Sequence, residues 1–304
     1  MCGYLRYYYP TEFCTSFLNC AKNDDDIANG TQLAQSKGCK IETPLFRYST
    51  SEYGCDSENK IIYKGIGSIK DIGKSCGDNL YKLKDNKYDT FVDLLYDIFD
   101  NGLAKKNEII KLIKIDYFKE FGNIEYLLNI HNIFQTLKKR SSFKVAECEK
   151  YNLEKDEVSL VSNKTTEKQF SGVDMKSLIK IISKKLDNKE TPNIDHISYE
   201  LGILGYTNYY DESIEDGIYA IAMIDENKYG TRFATLYNPK TKEYIQYKIN
   251  RNSYNDHPCN VGDIIKTAFR NQNKRVKNDD GDWVETDVKE TILKDYSVLK
   301  SFKE

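Results

Sequence analysis

Between Lys60 and Leu83 the stretch KIIYKGIGSIKDIGKSCGDNLYKL sets glycines and lysines at spacings that suit an anion. It reads as a short helix, a tight hairpin centred on Ile72-Gly73, and a second helix: a helix-hairpin-helix. Glycine lets a hairpin backbone turn tightly and approach a phosphate. Amides at the start of the second helix point at the anion, and the helix dipole favours negative charge there. Lys70 and Lys74 flank the turn and add Coulombic attraction, while Ile72, Gly73 and Ser75 complete the candidate contact set. Contacts of this kind to a nucleic-acid backbone are independent of base sequence and sensitive to salt. An ordinary helical turn with a glycine C-cap fits the same residues. Asp71 sits where such hairpins often have glycine and brings a repulsive charge.

A second set of candidates lies in the last third of the chain. On TRFATLY, alternation puts Phe233, Thr235 and Tyr237 on one face and Arg232 on the other; on KEYIQYKI it turns Ile245, Tyr247 and Ile249 inward, and Tyr244 and Lys248 outward. An exposed tyrosine stacks a base with about 1–3 kcal/mol. Lys266, Arg270, Lys274, Arg275 and Lys277 form the densest basic run here and suit a phosphate backbone. The bland alternative, aromatics in the core and lysines on a solvated face, fits equally well. Trp283 reads as a core or turn anchor.

Other chemistries find little support. Eight cysteines show no C-x2-C or C-x4-C pair, and His131, His196 and His257 lie far apart, so neither zinc nor a disulfide framework is indicated. These are read as reduced, structural thiols of a cytoplasmic protein. Asp24-Asp25-Asp26 are consecutive and point in different directions, whereas two-metal chemistry needs converging ligands. They read as a solvated loop. No catalytic residue and no metal ligand is assigned. No signal-type segment opens the chain, and no run of 18 apolar residues suggests a membrane span. A formal net charge of −2 over 304 residues argues against a wholly basic nucleic-acid protein but leaves room for local patches.

The elements that must position these residues change type along the chain. YYYPTEFCTSFLNCAKNDDDIANGTQLAQSKGC reads as two helices, followed by extended pieces near Lys40–Arg47 and Lys60–Lys64. FVDLLYDIFD, KKNEIIKLIKIDYFKEF and NIEYLLNIHNIFQTLKK carry apolar residues at a 3.6 period and predict three amphipathic helices. The polar stretch from Ser141 to Lys168 predicts a linker; helices follow at Met175–Leu186 and Ile197–Leu204. From Gly217 onward, period-two patterning predicts five short strands in a small OB-like barrel. The expected fold class is thus multidomain α+β, with an N-terminal helical region and a C-terminal small β-barrel.

Several segments, in order, resemble the alpha subunit of bacterial DNA polymerase III. GYLRYYYPTEF is similar to its Ala-Tyr-Leu-Lys-x-x-Tyr-Pro-x-Glu-Phe segment in the fingers. SKGCKIETPLFRYSTSEYGCDSENKIIYKGIGSIKDIGK resembles the following stretch into Gly-Leu-Gly-x-Ile-Lys-x-x-Gly, and TFVDLLYDIF the helix after it. NEIIKLIKIDYFKEFGNIEYLL and ISYELGILGY match later segments, so the resemblance covers roughly residues 3–206. Departures at Lys114-Ile115, Asn123-Ile124 and Thr207-Asn208 mark a divergent, phage- or plasmid-type relative. The resemblance implies the end of the fingers at 1–44, a helix-hairpin-helix and clamp-proximal region at 45–143, a linker at 144–168, connecting helices at 169–210 and an OB domain at 211–304. Its catalytic aspartates lie upstream in the palm, so it implies a non-catalytic part that holds primer–template or single-stranded DNA. Mg²⁺ is then expected only in the palm, on another polypeptide. The nearest candidates for the family's sliding-clamp peptide are Gln135-Thr136-Leu137 and Gln169-Phe170, and neither matches well. A polymerase fragment that docks onto a replisome or host factor is the alternative. A cryptic nuclease is disfavoured because no histidine–carboxylate cluster is visible.

Overall fold

The computed structural model describes residues 2–277 and 283–302. The chain divides into two compact units, Met1–Glu190 and Thr191–Glu304.

The first unit opens with α1 (Cys2–Tyr8), α2 (Pro10–Cys20) and α3 (Asp24–Ser36). Pro10 starts α2, where its missing N–H costs nothing, and the Asn23 side chain accepts the Asp26 amide at 2.8 Å to cap α3. Cys14, Leu18, Ala34, Cys39 and Ile62 close a small core beneath these helices. A three-stranded sheet follows, β1 (Lys40–Glu42), β2 (Gly54–Asp56) and β3 (Ile61–Tyr63), in the order β1-β3-β2. The polar stretch 49–59 thus contains a strand that its composition concealed.

After α4 (Lys74–Tyr81) come α5 (Phe91–Asp100), α6 (Lys106–Lys114) and α7 (Ile124–Leu137). Thr90 caps α5, which buries Phe91, Val92, Leu94, Leu95 and Ile98. Each such side chain contributes about 1.5–3 kcal/mol when fully buried. The expected long helix from Lys105 to Phe121 ends at Lys114. Asp116 adopts a left-handed φ of 59°, and the chain then drives Tyr117 and Phe118 into the core beside Phe46 and Phe91.

The stretch 144–168, expected to be a linker, is folded. It contributes the end of β4 (Ser142–Lys144), then α8 (Lys155–Ser159) and β5 (Ser162–Thr165), and β6 (Gln169–Val173) completes a sheet in the order β4-β6-β5. A few large groups suffice: Phe143, Leu153, Val158 and Phe170 are buried, and Arg140 pairs with Glu147 through two short hydrogen bonds. Helix α9 (Met175–Lys185) ends the unit, its Asp174 cap accepting the Lys176 and Ser177 amides.

The second unit has α10 (Asn193–Leu204) and then a closed five-stranded barrel of β7 (Ile218–Glu226), β8 (Arg232–Tyr237), β9 (Tyr244–Ile249), β10 (Ile264–Lys277) and β11 (Trp283–Lys300), with α11 (Arg251–Asp256) between β9 and β10. Closure runs through antiparallel β10–β7 pairing at Ile264↔Ala220 and parallel β11–β9 pairing at Ile292↔Lys248. The last two strands are 14 and 18 residues long rather than short. The interior is built on Ile221, Ala234, Leu236, Ile249, Ile265 and Leu293. Ala234 and Leu236 alternate with Phe233 and Thr235, and it is the former pair that faces the core. Ile245, expected inward, is 37% exposed. The protein is therefore α+β with a five-stranded barrel. Among the described residues, no helix is long and apolar enough to cross a membrane.

Candidate nucleic-acid interface

The hairpin stretch keeps its second helix and loses its first. In place of the expected first helix, Ile66–Ser68 form a single 3-10 turn; the chain then bends through Ile69–Gly73 and enters α4. Two of the glycines serve close packing against another strand of chain. A Cβ at Gly65 would come within 2.4 Å of the Glu52 carbonyl carbon, and one at Gly77 within 2.5 Å of the Ser51 amide nitrogen. That segment is fastened to α4 by the Ser51 hydroxyl, which donates to Asp78 at 2.8 Å.

At the turn itself, Asp71 rather than a glycine takes the left-handed conformation, with φ 62°. Its carboxylate accepts from Lys111 Nζ at 2.8 Å, and Lys111 also donates to the Lys70 carbonyl at 2.6 Å. The hydrogen bond and charge of Lys111 hold the Asp71 carboxyl below the usual range. The Ile72 side chain is buried and its amide donates to the Ile69 carbonyl at 3.1 Å. The Gly73 amide donates to Glu108 at 3.0 Å. Two of the expected anion donors are thus engaged within the protein. The Lys74 and Ser75 amides open α4 and have no hydrogen-bond partner among the described residues; both side chains are exposed, as is that of Lys70.

In the barrel, Arg232 and Lys248 converge on a cavity of about 290 Å³ floored by Ile249 and Ile292. The rim includes Tyr229 from the β7–β8 turn, Arg251 and Tyr254 from α11, and Gln272 from β10. The Asn227 side chain shapes that turn by accepting the Tyr229 and Thr231 amides at 3.0 and 2.9 Å, which leaves the Tyr229 ring 79% exposed. The Arg232 guanidinium lies over Tyr254 at 4.4 Å from the ring centre and bonds Glu226 at 2.8 Å. Lys248 reaches Glu290 at 3.5 Å. Cations, rings and amides around one cavity suit a phosphate beside a flat base.

The other barrel candidates lie apart from this cavity. Lys266 pairs with Glu215 at 2.8 Å, Arg270 is exposed on β10, and Tyr244 packs against Tyr237 with ring centres 4.9 Å apart. Lys274, Arg275 and Lys277, like Trp283, have side chains that lie outside the described residues. Tyr229, Arg251 and Tyr254 were not singled out from sequence. They come from a turn and a six-residue helix with no periodic signal, and only the closure of the barrel gathers them. Of the two clamp-peptide candidates, Gln135 sits within α7 beside His131 and Phe170 is buried in β6. Among the described residues no group of three or more histidine, cysteine or carboxylate side chains is placed to hold a metal ion.

Sequence comparison supplies the class: part of this chain is related to DNA polymerases. A stretch of 144 residues is 29% identical to the DNA polymerase III subunit alpha of Campylobacter jejuni. Over 109 residues the chain is 28% identical to the probable DNA polymerase YorL of Bacillus subtilis and, equally, to the DNA-directed DNA polymerase of Bacillus phage SPbeta. These matches take in 45% and 36% of this chain but only 12% and 8% of the relatives' lengths. No family model matches the chain.

Proposed function

We propose that this chain is a non-catalytic, DNA-holding portion of a polymerase III alpha-like subunit, which grips primer–template DNA while nucleotidyl transfer, with its carboxylates and Mg²⁺, takes place elsewhere in the polymerase. The observation that carries this is the polymerase-related stretch in a chain whose two units each expose cations on a concave surface. On this reading residues 1–44 are the end of a fingers region and the stretch around Lys70–Ser75 is a reduced helix-hairpin-helix contacting duplex backbone. Residues 211–304 form an OB domain, whose cavity at Arg232 and Lys248 meets unpaired template. The five-stranded closed barrel supports the OB assignment.

Two observations favour a second reading. The Gly73 amide is taken by Glu108, and Asp71 keeps a carboxylate at the turn. A polymerase fragment that now docks onto a protein would tolerate both. Fluorescence anisotropy of the purified chain with labelled primer–template, duplex and single-stranded DNA, at low and moderate salt, decides between them. Binding to primer–template that weakens steeply with salt is expected. Absence of binding to all three, even at low salt, would overturn the DNA-holding reading in favour of docking.

A further inference from the structure

The hairpin faces the start of α6 across an open groove of about 520 Å³, whose walls include Gly73 on one side and Lys105 and Lys106 on the other. Glu108 joins the two walls. It is only 6% exposed, and its two oxygens accept the Gly73 amide at 3.0 Å and the Lys105 amide at 2.7 Å. Beneath it the Cys76 thiol is pushed up to about 12 by burial and by the charge of Glu108. One buried carboxyl therefore serves the starts of both α4 and α6, the places where helix dipoles favour an anion.

The carboxyl fixes α6 beside the hairpin and fills the anion position at Gly73, which leaves the side chains, with the Lys74 and Ser75 amides, to attract an anion. Lys70, Lys74, Lys105 and Lys106 are all exposed, and none has a carboxylate within ion-pair distance among the described residues. The nearest carboxylate at the turn, Asp71, is already engaged by Lys111. Lys105 and Lys106 thus line one wall of the groove, and Lys70 and Lys74 flank in sequence the Asp71–Gly73 stretch that forms the other.

We infer that Lys105 and Lys106 are part of the duplex-binding surface, engaging backbone phosphate across the groove from Lys70 and Lys74 by side-chain charge rather than through the Gly73 amide. The inference rests on the DNA-holding reading. It is tested with the full chain and a labelled random-sequence duplex across a salt series. The variant K105A/K106A should lose about fivefold in affinity at low salt, and its log–log salt slope should flatten by about 1–2, as K70A/K74A should. The control K87A/K184A removes two exposed lysines elsewhere in the same unit. Loss with K70A/K74A but not with K105A/K106A would overturn the inference and leave the DNA-holding reading intact. An equal loss in the control would also overturn it, by reducing the effect to net charge. Absence of duplex binding by the unaltered chain would overturn both.

Discussion

In the helical unit Lys105 and Lys106 line a groove whose other wall is flanked by Lys70 and Lys74, and among the described residues none of the four has a carboxylate partner, whereas in the barrel Arg232, Lys248 and Lys266 each meet one: Glu226, Glu290 and Glu215. The difference matters for binding. A cation already paired must surrender or share its partner before it gains from a phosphate, so its net contribution is reduced. A lysine standing alone contributes its full release of counterions. The barrel compensates with rings and amides around a partly open cavity, the equipment for a base. The two surfaces are thus suited to different parts of a nucleic acid: the groove to backbone charge, the cavity to an unpaired nucleotide.

If the cations near α6 lack partners, their field should be felt by their neighbours. His131 in α7 reports on this. Burial, and then the charges of Lys106 and Lys138, hold its pKa down from 6.5 to about 4. Its Nδ1 has no hydrogen-bond partner, while Nε2 lies 3.0 Å from Gln135. With the folded value below the unfolded one, the unfolded state binds more protons as pH falls through this window. Stability from neutral His131 is therefore complete above pH 6.5 and is lost progressively down to about pH 4. The shift corresponds to about 3 kcal/mol at most. Urea unfolding between these pH values should show the loss, and His131→Leu should flatten it. A slope unchanged by that substitution would show that His131 is not held neutral.

Charge reversal at the groove tests the comparison directly. K70E/K74E should lower duplex affinity about thirtyfold, roughly 2 kcal/mol. K248A/K266A should change it by less than about threefold, because those lysines already have partners. The opposite ranking would break the distinction between the two surfaces.

Some of this was readable in the residues and some was not. Helix α5 announces itself through Thr90, Asp93 and an apolar stripe, since capping and periodicity are local properties. The strands β7 to β9 were legible for the same reason. The linker reading of 144–168 failed because burial of Phe143, Val158 and Phe170 depends on partners that composition does not reveal. The glycines at 65 and 77 looked like hairpin chemistry, yet they make room for Ser51 and Glu52, distant in sequence. Glu108 gave no signal of its own, because its role exists only once α4 and α6 start side by side.

Asp71 joins backbone strain and charge at one position, and it supplies the smallest predicted effect. A left-handed φ costs a residue with a side chain about 1 kcal/mol, less for aspartate than for most, and glycine removes that cost. Asp71→Gly also removes the ion pair with Lys111, an exposed contact of little net value. The two changes oppose each other, so stability should move by less than about 0.5 kcal/mol. Affinity should respond more clearly. The substitution deletes the negative charge at the turn and leaves Lys111, still bonded to the Lys70 carbonyl, without its carboxylate partner. Duplex affinity should rise about threefold at low salt, with a steeper salt slope. Asp71→Asn, which keeps a side chain tolerated at positive φ, separates charge from strain. If both substitutions raise affinity equally, charge at the turn limits binding. If only glycine does so, backbone conformation is the limit, and the lysines matter less than their exposure implies.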